Sequence, residues 1–256
     1  MRLIERVAIV TGATGDIGSA VARQLAAEGA DLVLVGRRRE RLEEVAEAPR
    51  SLGPRVLTVV ADLTIESEVR AMVARAIEEL GRVDVLINAA ASPGAEVTLA
   101  NMSLETWQGT IDGTLTSTML CTRECLTKSM LLRRSGAIVN LGSTAGEDGV
   151  HGKTHFSAAK AGVSRFTEAV AHEVGGHGIR VNCVVPGAVA THRLEQYHRR
   201  MSAARGLDYD RIVEETSRAT ALRRLVLPEE VAAAVAFLAS EQASGITGQT
   251  IGVTGG

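Results

Sequence analysis

Three things are scarce in this 256-residue sequence: cysteine, net charge and long hydrophobic runs. The three cysteines, Cys121, Cys125 and Cys183, make neither an oxidised framework nor a zinc spacing. Cys121 and Cys125 fall one helical turn apart and read as inert core thiols. A net charge of −2 gives no global field to draw in nucleic acid or a membrane surface. The longest apolar run, VAAAVAFLA at 231–239, is far too short to span a bilayer. No targeting pattern precedes RVAIVTGATG, so a cytoplasmic location is expected. HEVGGH at 172–177 has one residue too many for the HExxH zinc motif and meets a glycine pair, so no metal is expected.

What is present is a repeated unit of strand, turn and helix, in a chain of 45% hydrophobic and 23% charged residues. RVAIVT (6–11), DLVLVG (31–36), RVLTVVAD (55–62), DVLINAA (84–90), GAIVNLGS (136–143) and GIRVNCVVPG (178–187) read as buried strands. The helix at 17–29 is expected to end on Gly29, and the charged helix after Gly36 on Pro49, Gly53 and Pro54. Thr64 is the expected N-cap of a helix whose inner face carries Val69, Met72, Val73, Ala76, Ile77 and Leu80. Longer helices are expected at about 103–130 and 153–174. Apolar strands alternating with helices imply an α/β doubly wound parallel sheet with one ligand crevice at the strands' C-terminal ends. The whole chain, 1–256, reads as a single domain. One polar helical stretch, 191–220, is long enough to form a substrate lid, with His192, Leu194, Tyr197, Met201 and Tyr209 as its candidate ligand-facing residues. Its apolar members suggest a partly apolar small-molecule substrate.

TGATGDIG (11–18) joins the first strand to the first helix. Glycines there let backbone approach a pyrophosphate, and the helix N-terminus offers free N–H groups. Gly12, Thr14, Gly15, Asp16, Ile17 and Gly18 are therefore candidate dinucleotide contacts. The second strand ends in GRRRE (36–40), with no acid before Glu40 to hold a ribose 2′-hydroxyl. Arg37 and Arg38 suit a 2′-phosphate instead, which favours NADP(H) and leaves NAD(H) possible.

Taken in order, TGATGDIG, Asp62 after the third strand, DVLINAA, GAIVNLGSTAG, FSAAK, IRVNCVVPG and the tail ASGITGQTIGVTGG make the chain resemble the short-chain dehydrogenase/reductase family over essentially its whole length. The resemblance implies a seven-stranded Rossmann fold. It also implies cofactor roles for Asp62, Leu63, Asn88, Ala89, Ala90, Lys160, Pro186, Gly187, Val189 and Thr191. A homotetramer or dimer, commonly built through the long fourth and fifth helices, is implied as well.

The departures from the family pattern lie in the catalytic half. Asp16 stands where members of this length usually carry glycine, although TGxxGxxG fits residues 12, 15 and 18. The family asparagine falls at Thr114 and the YxxxK tyrosine at Phe156, while Ser143 and Lys160 keep register. In the family that tyrosine exchanges a proton with the substrate oxygen, a contribution of about 10²–10⁴-fold. A phenyl ring cannot. His155, Tyr197, His192 and Tyr209 are the alternative proton carriers, each set against a plain packing or solvent-facing role. Glu147 and Asp148 read as a surface turn. Two other readings stand beside an oxidoreductase: a non-redox dehydratase, cyclase or isomerase on the same fold, and a cofactor-binding homologue without catalysis.

Overall fold

Short β-branched runs form seven parallel strands of one sheet in a computed structural model that describes residues 1–256. They are β1 (Val7–Thr11), β2 (Asp31–Gly36), β3 (Val56–Val60), β4 (Val85–Asn88), β5 (Gly136–Leu141), β6 (Ile179–Pro186) and β7 (Thr250–Val253). Their order is β3-β2-β1-β4-β5-β6-β7. The chain winds outward from β1, returns, and winds outward again from β4. The reversal leaves a crevice above the C-terminal ends of β1 and β4. Every residue of both strands is buried, as expected where helices cover both faces.

Alternation along β1 assigns the two layers. Ala8 and Val10 face α1 (Asp16–Ala27), α2 (Arg39–Ser51) and α10 (Pro228–Ala239), which bring Leu25, Leu42 and Val235 to that core. Ile9 faces the opposite core, where α3 (Glu66–Leu80), α5 (Ser117–Cys125) and α7 (Thr154–Val174) contribute Met72, Cys125 and Val174. All three cysteines are buried and unpaired. Burial pushes the Cys121 thiol up to about 12 and raises those of Cys125 and Cys183. No helix is long and apolar enough to cross a membrane.

One helical run covers 104–133 and is wound unevenly. It comprises α4 (Leu104–Ile111), a π turn at Asp112–Thr116, α5, a second π turn at Leu126–Met130, and α6 (Leu131–Arg133). Pro49 does not end α2, which continues to Ser51. A proline so near a helix end sacrifices only one backbone hydrogen bond, and the chain turns at Gly53, with φ +104°. Thr64 is not the cap of α3 either. Ile65 takes the N-cap position, while the Thr64 hydroxyl is drawn 2.7 Å to Asp62 Oδ1. The polar stretch after β6 forms α8 (His192–Arg205) and α9 (Tyr209–Arg218), an antiparallel pair joined at Gly206. Its base is fixed by a parallel bridge between Val189 and Val226.

Candidate active site

The glycine turn after β1 is set by close backbone approach. Gly12 has φ +62°, and a Cβ there would lie 2.7 Å from the Ala90 backbone. A Cβ on Gly18 would overlap the Gly12 carbonyl. Side chains at either position would displace the turn. Thr11 holds the facing loop: its hydroxyl accepts from the amides of Ala89 at 3.1 Å and Ala90 at 3.2 Å, and donates to the Ile87 carbonyl at 3.2 Å. That threonine tie was not singled out from the sequence.

The resulting crevice holds about 420 Å³, within the range of small-molecule sites. Gly12, Thr14, Gly15, Asp16, Ile17 and Gly18 form one wall, with Ala89 and Ala90 opposite. Arg37, Asp62 and Leu63 line one end, and Thr191 lies where the lid begins. Asp62 Oδ1 accepts from the Thr64 amide and hydroxyl, and these bonds, with Arg37 nearby, hold its carboxyl below the usual range. No carboxylate stands between β2 and Glu40, while Arg37 lines the crevice.

Other candidate residues stand behind this lining. Arg38 is the exposed N-cap residue of α2. Asn88 is buried and donates to Thr122 Oγ1 at 3.1 Å and Asn140 Oδ1 at 2.9 Å, tying β4 to α5 and β5. Pro186 closes β6 against Val253, and a Cβ on Gly187 would lie 2.8 Å from Thr254 Cα. Val189 packs in the core.

Asp16 lines the crevice and turns its carboxylate to α8. Its Oδ2 accepts from the His192 amide at 3.0 Å, capping α8 rather than its own helix. The carboxylate thus bridges the glycine turn and the first residue of α8.

The four positions that match the family's catalytic pattern are Ser143, Lys160, Thr114 and Phe156. Ser143 follows β5, half-buried, and its Oγ accepts from the Ala145 amide at 3.2 Å. Lys160 is buried, and its ammonium donates to the Leu141 carbonyl at 2.5 Å. Burial, with Arg193 pushing the same way, lowers its pKa to about 8. Thr114 is buried within the first π turn, where its hydroxyl accepts from the Ser92 amide at 3.1 Å and donates to the Ser92 carbonyl at 3.2 Å. Phe156 is buried, its ring centroid 5.8 Å from Lys160 Nζ and 5.5 Å from Arg193 Cζ. Both distances suit cation–π attraction to the ring.

Arg193 is the residue that sequence reasoning missed. A cation in a polar helix reads as a solvated face, and only the fold reveals that it lines the crevice. The lid residues named from sequence are placed differently. The His192 ring lies on the exposed side of α8, 2.9 Å from Gln196 Nε2. Tyr197 and Tyr209 lie 6.1 and 6.3 Å from His198 by ring centroid, Tyr197 exposed on α8 and Tyr209 reaching His198 from α9. Leu194 and Met201 are half-buried. The structure brings Arg193, not a tyrosine, over Phe156. His155 is buried beside Gly94 and Thr110, with neither ring nitrogen hydrogen-bonded. Glu147 and Asp148 are exposed.

The family described as enoyl-(acyl carrier protein) reductase matches residues 12–256. A cis-4-hydroxycyclohexanecarboxylate dehydrogenase of Sinomonas cyclohexanicum is 40% identical over 252 residues, covering 98% of this chain and 96% of that protein. The solved structure of an actinorhodin polyketide ketoreductase variant with NADPH superposes with a TM-score of 0.93 at 35% identity, over 98% of this chain and 96% of the other. An NAD+-bound xylitol dehydrogenase gives 0.93 at 26% identity, over the full length of both chains.

Proposed function

The chain belongs to the short-chain dehydrogenase/reductase family and is an NAD(P)-dependent oxidoreductase; from that premise we propose that it uses NADP(H) on a small to medium, partly apolar carbonyl, alcohol or enone, with a proton path that bypasses residue 156. The observation that carries this reading is a crevice with the form of a dinucleotide site, one of whose lining residues, Arg193, covers the Phe156 ring that Lys160 also approaches, a ring without a hydroxyl.

Gly12 and Gly18 keep the backbone low enough for a pyrophosphate to approach the N-terminus of α1. Arg37, lining the crevice with no acid between β2 and Glu40, is suited to a 2′-phosphate. Asp62 fits the adenine end and Lys160 the nicotinamide ribose. Ser143, with its proton free, orients the substrate oxygen. The bound nicotinamide supplies hydride in reduction and accepts it in oxidation. Arg193 can stabilise developing negative charge, but a guanidinium does not give up its proton near neutrality. The proposed proton source is solvent at the crevice mouth or the substrate itself.

Thr114 and Phe156 also motivate a second reading, since one hydroxyl is engaged by Ser92 and the other is missing. This reading is a non-redox dehydratase, cyclase or isomerase, or a cofactor-binding homologue without catalysis. Absorbance of NADPH and NADH with a panel of ketones, alcohols and activated alkenes separates them. NADPH consumption matched by reduced product supports the first reading; NADPH binding without consumption for any substrate rejects it. Assembly as a homotetramer or dimer belongs to the proposal, supported by Leu104 and Leu132, which leave 68% and 77% of their surface exposed on the long helical run. Light scattering reads the mass directly.

A further inference from the structure

We propose that Arg193 recognises an anionic group of the substrate and that the substrate is a carboxylate-bearing small molecule. The inference rests on the oxidoreductase reading for the location of the substrate end, and on Arg193 itself for the charge. Arg193 lines the crevice and stacks over the buried Phe156 ring, 5.5 Å from its centroid. That ring stands at the position matching the family's tyrosine.

No carboxylate of the chain answers this guanidinium. The two acids that line the crevice are engaged elsewhere: Asp16 by the His192 amide and Asp62 by Thr64. Burial alone accounts for the lowered pKa of Arg193, with no acid opposing it. The residue is exposed at the crevice mouth, with its guanidinium laid over the Phe156 ring. A guanidinium held at the crevice without a partner in the chain is free to meet an anion there.

Its charged surroundings reinforce the sign. Lys160 approaches the same ring, its centroid 5.8 Å from Nζ, and feels the repulsion of Arg193. Lys153, which donates to the Gly94 carbonyl at 3.1 Å, is depressed by burial and by Arg193 and Arg200, with Glu96 the one acid opposing them. Positive charge therefore converges on an apolar floor. A planar carboxylate on an apolar body matches both features, because a guanidinium fork binds it through two parallel hydrogen bonds. The aromatic floor favours the body.

Titration calorimetry of the NADPH-loaded protein with cyclohexanecarboxylate and with cyclohexanecarboxamide tests this without requiring turnover. The carboxylate is expected to bind about tenfold or more tightly than the amide, the range of a hydrogen bond to a charged group. Arg193→Leu removes that preference, Arg193→Lys restores part of it, and NADPH affinity, which also verifies folding, is unchanged. Equal binding of acid and amide overturns the inference. So does a parallel loss of NADPH affinity in Arg193→Leu, which would assign the guanidinium to the cofactor's phosphates. Levulinate and methyl levulinate form the turnover arm. Carboxylate preference in binding with no turnover of either ketone counts against the redox reading and leaves this inference standing.

Discussion

Replacing Phe156 by tyrosine restores a proton donor to a frame that otherwise retains Ser143 and Lys160. The wild-type ring sits 5.8 Å from Lys160 Nζ and 5.5 Å from Arg193 Cζ. A phenol on that ring has two cations close by, which favour the phenolate and lower its pKa from an ordinary value of about 10. Positioned general acids contribute about 10²–10⁴-fold, equivalent to roughly 2.7–5.5 kcal/mol of barrier. Phe156→Tyr is therefore expected to raise kcat for carbonyl reduction toward that range, with NADPH affinity unchanged. Its pH profile should gain a limb below the free phenol's pKa. The assay is nicotinamide absorbance at saturating cofactor, with Phe156→Leu as the control for altered packing. A folded Tyr variant that binds NADPH normally and reduces ketones no faster refutes the idea that only the hydroxyl is missing.

Arg37→Ser should weaken NADPH binding about tenfold or more while sparing NADH, as judged by fluorescence titration, because one charge-assisted contact to a 2′-phosphate is lost. Asp16→Ala removes the acceptor for the His192 amide, a loss of about 1 kcal/mol or less given that Thr191 still caps α8. Hydrogen exchange at that amide should accelerate, and NADPH should bind more tightly without a carboxylate beside the phosphates. Lys160, with a pKa near 8 in the folded state against 10.5 in its absence, loses its ammonium as pH rises through about 8. NADPH affinity should fall across that step, and Lys160→Met should abolish the dependence. Between about 8 and 10.5 the unfolded chain binds the proton and the folded chain does not. Stability against urea should therefore rise with pH over that window, by at most about 3 kcal/mol relative to Lys160→Met.

The sheet was legible because its signals are local. Buried runs such as VAIVT and DLVLVG announce strands, and the glycines at 12, 15 and 18 mark the one turn through which backbone must approach a ligand. The vacancy at Phe156 was legible for the same reason: FSAAK keeps Lys160 four residues away on the same helical face. What could not be read depends on distant parts of the chain meeting. Asp16 and His192 lie 176 positions apart, so nothing near Asp16 indicates that it caps α8. Arg193 looks like any cation on a polar helix until the crossover after β6 swings it over Phe156. Tyr197 and Tyr209 offered hydroxyls by composition, but the packing of α8 against α9 places both beside His198. Thr64 illustrates local competition: its hydroxyl chose Asp62 over the helix end.

The central claim is that this site moves hydride even though residue 156 cannot move a proton. NADPH carrying deuterium at both positions of the reactive ring carbon, incubated with a ketone or enone substrate and followed by mass spectrometry, tests it most directly. The account predicts one deuterium on the product carbon that receives hydride, with an equivalent of NADP+ formed. Product that carries no label, or that forms while the NADPH remains intact, contradicts it.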